Sequence, residues 1–139
     1  VLGATAGTLG AMSGCFGLDF SNEAPSVRLS ELVLANARQQ PHTVAVTVEQ
    51  DGEVVYDETV IVDAGNGDVA AERTITGPWT QETGRYTLTA ALDGTTIRRS
   101  SDEEYRRHET NTDEPCFSVV VLLTKSIKIE QLWQVTEDC

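Results

Sequence analysis

Reactive side chains are scarce in this chain. The sequence holds three cysteines, at positions 15, 116 and 139, and two histidines, His42 and His108. Acyl-transfer and metal-hydrolytic chemistry announce themselves through GxSxG, HExxH or a glycine-rich phosphate loop, and none of these occurs. Blue-copper electron transfer wants His, Cys and usually Met together, and the single methionine, Met12, stands far from either histidine in sequence. Glycoside hydrolysis would need two carboxylates on facing walls of a cleft. No catalytic residue is assigned on these grounds, no cofactor is expected, and a non-catalytic role follows.

Two polar clusters are candidates for binding instead. Asp63, Asn66 and Asp68 place three oxygen-bearing side chains on a glycine-rich turn, the ligand type that Ca²⁺ prefers. The spacing is not that of an EF-hand loop, and a plain hairpin turn is the simpler reading. The second cluster is the stretch 101–114, SDEEYRRHETNTDE, which mixes six carboxylates with Arg106, Arg107 and His108 around Tyr105. It reads as a long polar loop, and loops of that length inside a compact domain are often functional. A binding surface is therefore expected at Tyr105, Arg106, Arg107 and His108. Trp79, which follows Gly77 and Pro78 in a turn, joins them as an exposed aromatic.

Charge narrows the partners. The chain has 139 residues, with 22 Asp and Glu against 10 Lys and Arg, for a formal net charge of −12. Such a surface repels phosphate backbones, so nucleic acid is excluded as a partner. Self-repulsion of this size is relieved in molar salt, where the Debye length falls to about 3 Å. With its many acids, its two lysines (Lys125 and Lys128) and its small apolar residues, the composition resembles that of haloarchaeal proteins.

Residues 1–20 carry no charge before Asp19 and are rich in Gly, Ala and Thr. The segment is too short and too mildly apolar for a spanning helix and fits the h-region of an export signal. Met12-Ser13-Gly14-Cys15 resembles a lipobox, the processing site of secreted lipoproteins. That resemblance implies a mature chain starting at a lipidated Cys15, anchored on the extracellular face of the membrane. Residues 1–15 are then signal and lipobox, 16–26 a tether, and 27–139 the folded domain. With Cys15 so used, Cys116 and Cys139 are left as a pair. In an exported protein they are expected to form a disulfide.

The elements that must position these groups are strands. From Val27 the apolar period is two: Val27, Leu29 and then Leu32, Val33 and Leu34, with an irregularity near Ser30; Val44, Val46 and Val48 on one face of 42–50; Tyr86, Leu88, Ala90 and Leu92 on one face of 85–92. Asp51-Gly52 and Asp93-Gly94 separate alternating runs and predict two-residue hairpins. Further strands are expected at 70–75, 95–99, 117–123 and 126–133, giving seven or eight in an antiparallel β-sandwich. Glu82-Thr83-Gly84-Arg85-Tyr86-Thr87-Leu88 resembles the tyrosine corner of immunoglobulin-like domains, at the start of the penultimate strand. In that family a Cys stands two residues after the Tyr, and Leu88 occupies the place here, which suits a fibronectin-like or generic Ig-like sandwich. The expected role is a lipid-anchored adhesion, scaffold or accessory module with a protein partner in the cell envelope. A binding protein for a small ligand or Ca²⁺, using 101–114 or 63–68, is the alternative.

Overall fold

The computed structural model describes residues 25–108, 114–126, 128–137 and 139. Cys15, the lipobox and most of the tether lie outside the described residues.

Two four-stranded sheets face each other. The strands are β1 (Arg28–Asn36), β2 (His42–Gln50), β3 (Glu53–Val62), β4 (Ala71–Ile75), β5 (Tyr86–Leu92), β6 (Thr95–Ser100), β7 (Cys116–Leu123) and β8 (Ile129–Thr136). One sheet has the order β4-β1-β7-β8 and the other β3-β2-β5-β6. The second sheet joins two hairpins through β2 and β5, as variable-type immunoglobulin domains do. Both hairpins close on Asp-Gly with positive φ at each residue (51° and 87° at Asp51 and Gly52; 50° and 84° at Asp93 and Gly94). That backbone matches the right-handed twist of the flanking strands, and Asp and Gly adopt it at least cost. The irregularity expected near Ser30 is a register shift between Leu29 and Glu31.

The expected antiparallel sandwich is found, with one parallel pair in it. β1 and β7 pair in parallel, from Arg28 opposite Cys116 to Asn36 opposite Leu123. A parallel neighbour demands a long crossover. Here the chain leaves β6, forms a helix, and passes to the other sheet. β5, which opens on the tyrosine corner, is fifth of the eight described strands.

Alternation decides the core. Leu32, Leu34, Val44, Val46, Val48, Leu88, Phe117, Val119 and Val121 all sit in one buried cluster between the sheets, with Trp133 packed edge-on against Phe117 at 5.7 Å. Each fully buried side chain of this size contributes roughly 1.5–3 kcal/mol. The inner faces are therefore ordinary, but the outer faces differ from one another. On the β3-β2-β5-β6 sheet the registers align Thr59, Ala45, Ala91 and Thr96 in one row, and Asp57, Thr47, Thr89 and Arg98 in the next. On the β4-β1-β7-β8 sheet they align Thr74, Val33, Val120 and Leu132, then Glu72, Ala35, Leu122 and Glu130. These two rows of the first outer face are polar and small, but the rows beyond them carry Ile61 opposite Thr43 and Val54 opposite Glu49, each 57% exposed. The second carries an apolar stripe that ends on Leu132, 45% exposed.

Cys116 and Cys139 are paired, with Cα atoms 6.0 Å apart. The link ties the last residue to the start of β7, beside the end of β8.

Candidate functional site

The stretch expected as a loop is a helix over its first half. α1 spans Ser101–His108, directly after β6. Ser100 caps it: its hydroxyl accepts the Glu103 amide N–H at 3.2 Å and donates to the Glu103 carboxylate at 3.3 Å. Acids fill the first turn and Arg106, Arg107 and His108 the last, so side-chain charges complement the helix dipole at both ends. The Ser-x-x-Glu pattern of a capping box was present in the sequence and was the signal that a loop reading passed over. Residues 109–113 of the stretch lie outside the described residues.

This helix is docked to the sandwich. Ser101 is buried, and its hydroxyl accepts the Tyr86 amide N–H at 3.0 Å. Glu104 is buried and faces Arg107 at 3.8 Å and His108 at 3.7 Å. The His108 ring lies 5.8 Å from Phe117. Tyr105, expected as an exposed anchor, is half-buried against the core. Of the four expected contact residues, Arg106, Arg107 and His108 are exposed, as is Glu103 beside them.

Trp79 needs correction too. It is fully buried in a short 3₁₀ turn, Pro78–Thr80. The ring closes over Gly77, where an added Cβ would come within 2.3 Å of it, and meets Tyr56 edge-on at 5.7 Å. Glycine at 77 is what lets the indole fold inward. Trp79 thus packs on Tyr56 and β1, while the helix contacts β5, β6 and β8.

At the 63–68 turn, Asn66 is engaged internally. Its side-chain oxygen accepts the amide N–H groups of Asp68 (3.2 Å) and Val69 (2.8 Å). The Lys125 ammonium donates to the Gly67 carbonyl at 2.6 Å. Asp63 and Asp68 are exposed. Among the described residues no three His, Cys, Asp or Glu side chains gather at metal-binding distance.

Beside this turn the structure shows a site that the sequence reading missed. An open cavity of about 550 Å³ lies at one end of the sandwich, lined by Arg38, Gln39, Gln40, His42, Asp93 and Lys125. Three connections build it: 37–41 between β1 and β2, the Asp93-Gly94 turn, and the turn between β7 and β8. Asn36, completely buried at the end of β1, holds the first of these in shape. Its amide donates to the carbonyls of Gln40 (2.8 Å) and Asp63 (2.9 Å), and its oxygen accepts the Arg38 amide N–H (2.9 Å). The Arg38 guanidinium is itself anchored, donating to the carbonyls of Thr124 at 2.8 Å and Lys128 at 3.3 Å. The usable signal was the run Ala37-Arg38-Gln39-Gln40-Pro41-His42 and the pairing of the only lysines in one turn.

At the other end stands the tyrosine corner. The Tyr86 hydroxyl donates to the Glu82 carbonyl at 2.5 Å. Burial first, then the charges of Glu82 and Asp51, push its pKa up to about 12. Tyr56 is also raised, by burial and by neighbouring Glu58. Comparison with known proteins finds no matching family model and no matching curated protein.

Proposed function

We propose that this chain is a non-catalytic Ig-like module, held by a lipid on Cys15 at the extracellular face of the cell membrane, where it acts as a scaffold or accessory subunit for a protein partner of the envelope. The observation that carries the reading is the apolar stripe on the outer face of the β4-β1-β7-β8 sheet. Val33 and Ala35 are already buried within the chain, and half-buried Val120 and Leu122 continue the stripe to the exposed Leu132, the composition of a face that packs on something. Its rim of Glu72 and Glu130 is acidic, which favours a protein surface over anionic lipid. The paired Cys116 and Cys139 support an oxidising compartment outside the cytoplasm. Met12-Ser13-Gly14-Cys15 supports the anchor.

Intact mass of the protein purified from its native membrane tests this. The reading requires a chain that begins at lipid-modified Cys15 and lacks the two hydrogens of one disulfide. A mass that retains residues 1–14 without lipid would overturn the anchor.

A further inference from the structure

We propose that the cavity at the 37–42 end of the sandwich is a binding site for a sugar acid, a ligand with one carboxylate among several hydroxyl groups. The argument begins with where the cations are. A chain with a formal net charge of −12 puts Arg38 and Lys125 on one cavity, with Lys128 in the same β7–β8 turn. Five of the named lining side chains carry N–H donors: Arg38, Gln39, Gln40, His42 and Lys125. The lone acid among them is Asp93.

That mixture discriminates among anions. Two cations flanking a cavity attract a carboxylate, through charge-assisted hydrogen bonds. A bare phosphate or sulfate would be poorly served by Asp93, since its carboxylate repels a second negative charge and has no proton to offer. Hydroxyl groups suit the same lining well. Each donates and accepts, and Asp93 can accept a hydrogen bond from a hydroxyl while a glutamine amide donates one to it. The volume lies within the range of small-molecule sites.

The walls are also built before a ligand arrives. Asn36 spends its buried amide on fixing the carbonyls of Gln40 and Asp63 and the amide of Arg38. Arg38 and Lys125 each commit part of their donor set to backbone carbonyls, which orients the charges without exhausting them. A ligand therefore meets a site whose ordering cost has already been met by folding. The inference is independent of the membrane anchor and of the apolar outer face.

Isothermal titration of the folded domain with glucuronate and galacturonate, at low and at molar salt, is the test. Glucose and inorganic phosphate serve as controls. Binding of a uronate is expected, with glucose at least about tenfold weaker because one charge-assisted contact is worth that much. Lys125→Glu should weaken uronate binding by a similar factor. Asp93→Asn separates ligand classes, because Asn preserves the Asp-Gly type of turn while removing the charge. A hydroxyl-rich ligand loses affinity with this variant, whereas a bare anion gains it. Unchanged melting temperatures for both variants show that the fold is intact. The proposal is overturned if neither uronate gives heat at 10 mM (about 3 kcal/mol of affinity), if phosphate binds as well as the uronates, or if Asp93→Asn strengthens uronate binding.

Discussion

Gln131 in β8 donates its side-chain amide to the carbonyl of Leu88 in β5, 3.0 Å away across the sandwich. The same amide nitrogen donates to the Ile97 carbonyl at 2.9 Å, and the Gln131 oxygen accepts the Trp133 indole N–H at 3.0 Å. Leu88 stands where an immunoglobulin domain of antibody type has the second cysteine of its intersheet disulfide. Here a buried glutamine joins the sheets at that position. Every polar atom of its side chain has a partner, which makes it a specific lock and a costly one to break.

Gln131→Leu is expected to destabilise the domain by about 1–3 kcal/mol, because the Trp133 indole N–H is then buried without an acceptor. Urea unfolding followed by tryptophan fluorescence measures this. Combining it with Trp133→Phe, which removes the stranded donor, should recover part of the loss. A double variant as unstable as the sum of the singles would show that the indole contact is not what matters.

Asn36→Ala removes three hydrogen bonds from a fully buried amide. At about 1 kcal/mol each, the expected loss is about 3 kcal/mol. Asn36→Asp keeps the acceptor for Arg38 but offers two carbonyls a negative charge, so it should be no milder. Hydrogen exchange localises the effect. Faster exchange should appear at Arg38 and at Gly65, whose amide bonds the Arg38 carbonyl at 2.8 Å. Uniform loss of protection across both sheets would argue against a local role in shaping the 37–41 connection.

Legibility in the sequence followed the range of the interaction. Both Asp-Gly hairpins and the Tyr86, Leu88, Ala90, Leu92 face could be read because turn chemistry and a period of two are local. So could the tyrosine corner, where donor and acceptor are four residues apart. Helix α1 was readable from Ser100 and Glu103 but was outweighed by the density of charge around it. Trp79 was not: its burial depends on Gly77 beside it and on Tyr56 from another strand. The cavity was likewise hidden, because Arg38, Asp93 and Lys125 meet only when three connections come together. The outer-face stripe required the parallel β1–β7 register, which no local pattern reports.

Loss of the Cys116–Cys139 link should cost about 3 kcal/mol in the chain-entropy account of a closed loop, given the separation of 23 residues. Cys116→Ser with Cys139→Ser provides the comparison under oxidising conditions. Because the bridge acts by constraining the unfolded chain, the loss should appear as a lower unfolding midpoint with a denaturant slope no smaller than that of the wild type. Titration of free thiols on the unfolded wild-type domain, residues 16–139, should find none. Any reactive thiol there would mean that the pair is not closed in the protein as made.

Alkaline unfolding should be governed in part by Tyr86. Its phenol is held in the neutral form to about pH 12, against an ordinary value of 10.0, by burial and then by the charges of Glu82 and Asp51. Between those two values the folded state keeps a proton that the unfolded state has released. Stability from this group is therefore complete below pH 10 and is lost as the pH climbs through 12. Tyr56, whose pKa is also raised, acts in the same direction, so the wild-type curve alone does not isolate the corner. Tyr86→Phe does: it should lower stability at pH 8 by about 1 kcal/mol, for the lost hydrogen bond to Glu82. It should also show a shallower fall in melting temperature above pH 10 than the wild type. Parallel curves for the two proteins from pH 8 to pH 12 would remove Tyr86 as the alkaline trigger and leave the corner as a neutral contact only.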